Sequence, residues 1–489
     1  MTAACEIDVP SRRASHRHWL TTLVILITVT CWSASSGSAF VSNGRWSFTA
    51  GGGATGLTGS PATLTWSIVP DNTFVPGLGS SDLVSFLDSN FGAGDGGGDL
   101  QTRPWFDEII KPSFDRWTEI SGLIFKYEEN DDGVTLGSFS GALGTRGDVR
   151  LGGTLIDGPG GTDAQAGFIP NSDITIDTGD VAFYSDPAND FRNFRNTLMH
   201  EIGHSLGLAH LDSTADFLLE PAFDDSFDGV QIDDIRGVQQ LYGDKFERDE
   251  LGPNPNNSLA TATQLGSLST GQIISLGMDA GAITTVTPGQ NDFVSIANLN
   301  DVDFFSFSID TVGVLDVVVT PTGPNYFEKP SGPGSFSLTR SSQVSDLEVE
   351  LYGPLAEGGS GLLASSDDAP IGLPESLMNE QVLLPGTYTV RIAGSTNLVQ
   401  LYQLRLSLTA LDSDFDGDGD TDGGDFLAWQ RGFGETLTPA DLAAWSAAYG
   451  ATPQASPTLA VPEPTSLAGI TISFIVLCSL WKAQDRSNR

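Results

Sequence analysis

Three histidines and a glutamate fall in one short stretch, from His200 to His210, with a spacing that suits a metal centre. On a helix, residues four apart lie on one face, so His200 and His204 can direct two imidazoles at one ion. Glu201 lies on the same turn, from which its carboxylate can reach a water molecule at that ion. Gly207 can adopt backbone angles closed to other residues, which lets the helix end and brings His210 round as a third ligand. Three neutral imidazoles that leave one position open are typical of catalytic rather than structural zinc.

The main alternative is a surface or core helix that carries three histidines without a metal. The chain has five histidines, and two of them, His16 and His18, lie in an N-terminal segment that we interpret below as a signal. The other three histidines, His200, His204 and His210, all fall in this stretch, and Gly207 lies between the last two. A chance pattern does not explain this arrangement. The sequence therefore predicts one catalytic zinc bound by three histidines, with Glu201 as the general base.

This motif resembles that of the metzincin clan of zinc endopeptidases, and the segments after it resemble the matrixin branch. Residues 233–243 read Asp-Asp-Ile-Arg-Gly-Val-Gln-Gln-Leu-Tyr-Gly, close to the family's Asp-Asp-Ile-x-Gly-Ile-Gln-x-Leu-Tyr-Gly. Leu219 stands where the family has the methionine of its Met-turn, and leucine is apolar and similar in volume. The resemblance implies an endopeptidase that hydrolyses extracellular proteins with a zinc-activated water. Pro221 and Phe223 match residues that wall the family's main specificity pocket, although both equally suit a plain core.

Residues 157–170 resemble the matrixin loop that binds structural calcium, because both begin Asp-Gly-Pro-Gly-Gly and lead into an edge strand. Hard oxygen donors suit calcium, and a glycine-rich loop lets backbone carbonyls converge. The resemblance implies calcium ligands at Asp157, the carbonyls of Gly158, Gly160 and Thr162, Asp177 and Asp180. Gln165 and Thr175 replace two histidines of the family's structural zinc site, so we expect no structural zinc. An ordinary glycine-rich turn flanked by acids is the alternative.

Length, charge and cysteine content limit the possible domain number, partners and disulfides of the chain. The 489 residues exceed what one hydrophobic core usually supports, so we expect a multidomain chain. A net charge of −39 argues against nucleic acid as a partner and suits divalent cations, although solubility alone explains much of this acidity. Cys5, Cys31 and Cys478 all lie near the ends, so we expect no disulfide in the body of the chain, nor the propeptide cysteine that keeps the family latent.

Residues 40–245 are predicted to form an α+β metzincin-like catalytic domain. An amphipathic helix is expected at 101–119, with a kink at Pro112. Strands are expected at 62–68, 123–127, 148–151 and 164–168. The last of these would be the edge strand that an extended substrate backbone can join.

A different pattern follows a predicted linker at 246–257. Residues 258–410 alternate apolar and polar side chains with period two between Gly, Pro and Asn turns, which predicts an all-β sandwich. Strands are expected at 301–309, 346–352, 386–392 and 402–408. The order resembles the bacterial pre-peptidase C-terminal domain, a jelly-roll-like appendage, which implies cell-surface or polysaccharide contacts. Asp301 and Asp303 are interpreted as solvated loop acids, with calcium binding as the alternative.

Residues 411–450 contain a calcium loop of the EF-hand type, with a glycine at the sixth position. Its predicted ligands are Asp414, Asp416, Asp418, Asp420 and Asp425. Helices are expected at 426–433 and 439–449. The module resembles dockerins, but a second calcium loop is missing, which argues against a cohesin-type partner. A flexible acidic spacer is the alternative.

Both ends of the chain look like export signals. Residues 1–39 have the basic, apolar and small-residue regions of a secretory signal. After a linker at 451–460, residues 461–489 combine Val-Pro-Glu-Pro, an apolar run and trailing positive charges, which resembles a PEP-CTERM sorting tail. A plain C-terminal transmembrane anchor is the alternative.

Together these features predict a secreted zinc protease of a bacterium, extracellular or attached to the cell envelope, whose partners are protein or peptide substrates. The rival interpretation is a non-catalytic surface adhesion or scaffold protein with a decayed protease domain.

Overall fold

The computed structural model describes residues 40–449, apart from residues 53–55, 139, 168, 250–251 and 355–359. The predicted signal, the linker at 451–460 and the sorting tail all lie outside the described residues. Among the described residues, no helix has the length and apolar character needed to cross a membrane.

A five-stranded sheet in the order β5-β2-β6-β8-β7 forms the centre of the N-terminal region. Its strands are parallel except for the edge strand β7, which is antiparallel to β8. The strands of this region are β1 (Val41–Ser42), β2 (Ala62–Ile68), β3 (Phe74–Val75), β4 (Gly79–Ser80), β5 (Leu123–Tyr127), β6 (Val149–Thr154), β7 (Ala164–Ala166), β8 (Ile174–Asp177), β9 (Leu208–Ala209) and β10 (Leu211–Ser213). The helices are α1 (Leu83–Phe91), α2 (Lys111–Glu119), α3 (Val181–Tyr184), α4 (Arg192–Ser205) and α5 (Ile232–Tyr242).

The helix predicted at 101–119 is shorter than expected. A separate 3₁₀ turn covers Leu100–Thr102, a π-helical turn covers Phe106–Ile110, and α2 begins at Lys111. Pro112 lies inside a continuous helical run, residues 104–119, directly after the π-helical turn. Its missing N–H coincides with the change from π-helical to α-helical hydrogen bonding, which is the irregularity expected where a proline interrupts a helix.

Helix α4 carries the first two histidines and ends as the glycine predicts. Leu206 closes the helix, and Gly207 has a φ of +99°, in the left-handed region that favours glycine. A Cβ on residue 207 would lie 2.0 Å from the carbonyl oxygen of Gly44, because the N-terminal segment crosses the turn at this point. The turn reverses the chain into β9, which pairs with β1, and this places His210 beside α4.

The C-terminal half contains two five-stranded sheets in which apolar and polar faces alternate. One has the order β11-β14-β21-β18-β19, and the other combines β12, β22, β15 and β20 with β13 beside β22. The strands of the C-terminal half are β11 (Thr263–Ser267), β12 (Ile273–Leu276), β13 (Val294–Ile296), β14 (Val302–Ile309), β15 (Gly313–Pro321), β16 (Asn325–Pro330), β17 (Ser337–Arg340), β18 (Leu347–Pro354), β19 (Ser360–Ser366), β20 (Glu375–Leu383), β21 (Gly386–Gly394) and β22 (Gln400–Ala410). The inner faces enclose a core of their own, as the period-two pattern predicts.

The two regions share a second hydrophobic core, which the sequence did not indicate. Sandwich residues such as Val286, Phe293 and Val399 belong to the same buried cluster as the residues around the sheet of the N-terminal region. Helix α5 is the centre of this contact, because every one of its residues is buried. The Gln240 side chain donates to the carbonyl of Ala297 at 2.7 Å and accepts from the N–H of Val399 at 2.7 Å.

Backbone pairing also joins the two regions. Strand β10, which follows His210, pairs antiparallel with β16, and β16 pairs with β17. This three-stranded sheet extends from the segment that follows His210 into residues 325–340, which we call the β16–β17 hairpin. The predicted linker at 246–257 includes part of a 3₁₀ turn, Lys245–Glu247, and the buried side chain of Asn256.

Two further helices, α6 (Gly423–Gly432) and α7 (Pro439–Ala448), form the last described unit. Trp445 of α7 lies against Phe426 of α6, with ring centroids 4.9 Å apart, and donates from its indole N–H to the carbonyl of Asp422.

Candidate active site

The three predicted histidines converge on one point. The Nε2 atom of His210 lies 3.0 Å from the Nε2 atom of His200 and 3.0 Å from that of His204. Two imidazoles bound to one tetrahedral zinc at ~2.05 Å would have these atoms about 3.3 Å apart. The donor set and its spacing therefore fit a zinc ion.

Backbone carbonyls fix the other side of each ring of α4. The Nδ1 atom of His200 is 2.6 Å from the carbonyl oxygen of Leu218, and that of His204 is 2.8 Å from the carbonyl oxygen of Leu208. With the proton on Nδ1, each Nε2 presents a lone pair. Burial lowers the pKa of His200 to about 3 and that of His204 to about 4 in the metal-free protein, and it also lowers the pKa of His210. All three rings are thus neutral near pH 7, as metal ligands must be.

Glu201 lies beside this centre in a buried position. Its Oε2 atom has no hydrogen-bond partner among the described residues. Burial, and then the nearby Asp163 carboxylate, raises the pKa of Glu201 to about 8 in the metal-free protein, while a hydrogen bond from the N–H of Ala166 acts in the opposite direction. A carboxyl group in such a setting holds and releases a proton close to neutral pH, as a general base must.

Leu219 packs against α4, the helix that carries His200 and His204. Its side chain is buried, and its Cδ2 atom lies 3.0 Å from the position that a Cβ on Gly203 would occupy. The Asp234 carboxylate accepts the backbone N–H groups of Leu218 and Leu219 at 2.9 and 3.1 Å. Asp234 thereby holds the turn in which the carbonyl of Leu218 orients His200, a role that its position in the sequence did not indicate.

Two cavities flank the histidines along the edge strand. One, of about 290 Å³, has Pro221 and Phe223 in its lining, together with Glu201 and His210; we call it the Phe223 cavity. The other, of about 510 Å³, has its lining from Ala164–Gly167, Glu201, His204 and His210 and from Pro330 and Ser331; we call it the Pro330 cavity. Phe223 is 40% exposed, so it belongs to a surface rather than to the core.

The glycine-rich loop places its acidic residues near one another. Burial and the carboxylates of Asp180, Asp177 and Asp157 raise the pKa of Asp163 to about 6. Asp177 accepts the N–H groups of Asp157 and Gly158, and Asp180 Oδ2 has no partner among the described residues. This crowding of negative charge fits a bound cation. Asp157, Asp177 and Asp180 do not, however, form one compact set of side-chain ligands, so the predicted backbone carbonyls would have to complete such a site.

A second acidic group shows that the interpretation of Asp301 and Asp303 as solvated loop acids was wrong. Both are buried between the N-terminal region and the sandwich, and with Glu247 they bring three carboxylate oxygens within 4.8 Å of one another. Both polar atoms of the buried Asn256 side chain lack a hydrogen-bond partner among the described residues. When ionised, buried carboxylates need a partner charge, so this group can hold a cation of the calcium type.

The predicted EF-hand loop also gathers its acids. Asp414, Asp416 and Asp425 form one compact group, and Asp420 forms a second with Asp422 and Asp425, whereas Asp418 belongs to neither. Asp425 is buried and accepts the N–H groups of Phe415, Asp416 and Asp422. It also caps the first turn of α6, which explains why an aspartate suits this position.

Comparison with known proteins is consistent with this geometry. The family model described as Matrixin matches residues 99–243. Metalloendoproteinase 5-MMP of Arabidopsis thaliana is 31% identical over 160 residues, which are 30% of this chain and 42% of that protein. Interstitial collagenase of Bos taurus is 35% identical over 146 residues, 29% of each chain, and stromelysin-1 of Mus musculus is 31% identical over 171 residues, 33% of this chain and 34% of that protein. The chain thus spans less than half the length of these relatives.

A solved structure, the pre-peptidase C-terminal domain of collagenase from Bacillus anthracis, aligns with 30% of this chain and 96% of its own length. The identity is 12% and the TM-score is 0.16, a value too low to establish a shared fold. The likeness of the sandwich to that domain therefore stays a prediction. Residues 99–243, by contrast, match the Matrixin family model, and the relatives that align here are named as a metalloendoproteinase, a collagenase and a stromelysin.

Proposed function

We propose that this protein is a secreted or cell-surface zinc endopeptidase that cleaves extended segments of extracellular proteins. The observation that carries the proposal is the convergence of three neutral imidazoles beside the buried Glu201, between two cavities that lie along an open sheet edge. Strand β7 pairs with β8 on one side only, so its other edge can hydrogen-bond a peptide backbone. A peptide placed there passes directly over the histidines.

Zinc held by the three Nε2 atoms would supply a Lewis acid that polarises the scissile carbonyl and makes water more acidic. The protein's own groups do the rest. The carbonyls of Leu218 and Leu208 hold the rings of His200 and His204 in the orientation that exposes Nε2. The Glu201 carboxyl takes the proton of the attacking water and returns it to the departing amine, which keeps the proton count balanced. The Phe223 cavity receives one substrate side chain beside the cut.

The remaining parts of the proposal concern stability and location. Calcium at the 157–180 loop and at the 414–425 loop would neutralise crowded carboxylates and stiffen the segments that carry them. The 411–450 region would act as a dockerin-like calcium module. The predicted signal and sorting tail would bring the protein to the outside of a bacterial cell.

The rival function, a surface adhesion or scaffold protein with a decayed protease domain, is disfavoured by the site itself. Leu219 is buried against Gly203 of α4, and both rings of that helix keep their carbonyl partners. In a protease domain without catalytic function, nothing would require three neutral rings and a carboxyl group to stay together.

The test uses purified residues 40–449 incubated with casein, with calcium present. We expect about one zinc per chain, new peptide termini in the products, loss of cleavage with a zinc chelator and recovery when zinc is restored. The matched control is His210→Ala, which should bind zinc weakly and release no peptides. A zinc-loaded parent that leaves casein and a mixed peptide library intact would favour the rival function.

A further inference from the structure

The β16–β17 hairpin lies outside the segment that matches the matrixin family, yet it reaches the metal centre. Strand β10 begins one residue after His210, and its three residues pair in register with Pro330, Lys329 and Glu328. The N–H of Ser331 lies 3.4 Å from the carbonyl oxygen of His210. The hairpin is therefore a direct backbone neighbour of the third histidine.

Buried contacts fix the hairpin in this position. The Tyr326 side chain is 3% exposed, and its hydroxyl donates to the Asp233 carboxylate and accepts from Arg236 at 2.7 Å. Its ring packs edge-on against Phe217, with centroids 4.9 Å apart. Phe217 precedes the turn that contains Leu218 and Leu219, so one tyrosine links the hairpin both to α5 and to the floor of the site.

A second set of contacts holds the end of β16, where Pro330 and Ser331 line the Pro330 cavity. Lys329 forms a salt bridge with Asp212, and the N–H of Thr214 donates to the carbonyl of Phe327 at 2.8 Å. Pro330 and Ser331 are exposed, but Pro330 pairs with Leu211 of β10 and the N–H of Ser331 donates to the carbonyl of His210. Backbone contacts therefore hold both residues beside the third histidine.

Pro330 and Ser331 line the Pro330 cavity together with all three residues of the edge strand β7. Leu208 and Ala209 contribute apolar surface, and His204, His210 and Glu201 close the end next to the metal centre. The Phe223 cavity shares Glu201 and His210 with the Pro330 cavity, but its lining includes His200 and not His204. A peptide that runs along β7 would place residues from the two sides of its cleaved bond in different cavities.

We propose that the β16–β17 hairpin is part of the substrate cleft and that Pro330 and Ser331 select the substrate side chain on one side of the cleaved bond. The partner is an extended peptide with an apolar side chain at that position, because the cavity has apolar residues in its lining and is large enough, at about 510 Å³, for a bulky group. The inference rests on the proposed peptidase function. It makes the sandwich a part of the catalytic unit.

The test compares zinc-loaded residues 40–449 with two variants, Ser331→Trp and Ser335→Trp. Both positions are exposed in the same hairpin, but only Ser331 borders the cavity, so Ser335→Trp controls for a large side chain on the loop. The probe is a quenched peptide library varied at each position on both sides of the cut, with products identified by mass spectrometry. Zinc content and melting temperature should stay at the parent value in both variants.

We expect Ser331→Trp to lower kcat/KM by about 10-fold or more for bulky apolar residues on one side of the cut, with smaller residues affected less. Preferences on the other side should not change, and Ser335→Trp should behave as the parent. If the parent cleaves but Ser331→Trp keeps its full profile, the hairpin inference is wrong and the peptidase function stands. If the parent cleaves nothing, the proposed function fails and the inference falls with it.

Discussion

Replacing Leu219 tests whether a leucine can serve as the floor of this metal site. The side chain is 1% exposed and fills the space next to Gly203, between the two histidines of α4. Leu219→Ala removes three buried carbons, worth about 2.4 kcal/mol at ~0.8 kcal/mol each. A residual cavity of about 50 Å³ adds ~1.2 kcal/mol at ~24 cal/mol per Å³. We therefore expect a loss of about 3.5 kcal/mol in the free energy of unfolding.

The assay is denaturant unfolding of the zinc-free protein, followed by competition for zinc with a chromophoric chelator. Leu219→Ala should also weaken zinc binding, because the cavity frees α4 to move against Leu218, whose carbonyl orients His200. Leu219→Met, which conserves volume, should cost less than about 1.5 kcal/mol and keep zinc. Leu351→Ala, in the separate sandwich core, should lose stability without losing zinc affinity. Equal zinc affinity in Leu219→Ala and the parent would refute the reasoning.

Two further predictions concern the turn and the buried acids. Gly207→Ala should lower zinc affinity at least several-fold and reduce the melting temperature, because its Cβ would meet the Gly44 carbonyl and its φ would be strained; equal binding and melting would contradict this. In chelator, the melting temperature should fall between pH 5 and pH 8. Burial raises the pKa of Asp301 to about 7 and that of Asp303 well above its usual value. The folded state is favoured while these acids are neutral, and this contribution to stability is complete below about pH 4. It is lost as the pH rises through about 7, because the buried acids then ionise. Calcium should restore it at pH 8, and Asp303→Asn should flatten the dependence; a flat pH profile in the parent would count against the buried-cation site.

The convergence of the three histidines was predictable because it depends on local spacing. His200, Glu201 and His204 share one helix, and Gly207 is needed where a left-handed turn brings His210 back, so four positions in one segment determine most of the site. The period-two pattern likewise predicted the sandwich strands, because alternation reports directly on which face is buried. Both are short-range signals.

The contact between the sandwich and the active site was not predictable in this way. Helix α5 carries Asp233, Asp234, Arg236 and two glutamines, a composition that usually indicates a solvent-facing side. Each of these groups is instead buried with partners near it in space and far away in sequence, such as Tyr326 for Asp233 and Val399 for Gln240. The buried position of Asp301 and Asp303 was missed for the same reason, since a loop acid and a buried acid look alike in sequence.

The central claim is that Glu201 performs proton transfer at a zinc-dependent peptidase site, and one comparison tests it most directly. The kcat/KM of zinc-loaded residues 40–449 should be measured beside Glu201→Gln at matched zinc content, with a quenched peptide that the parent cleaves. Glu201→Gln keeps the shape of the side chain and leaves the three nitrogens in place, so zinc should stay bound while kcat/KM falls by about 100-fold or more. Cleavage by Glu201→Gln at the parent rate would show that another group moves the proton and would contradict the account.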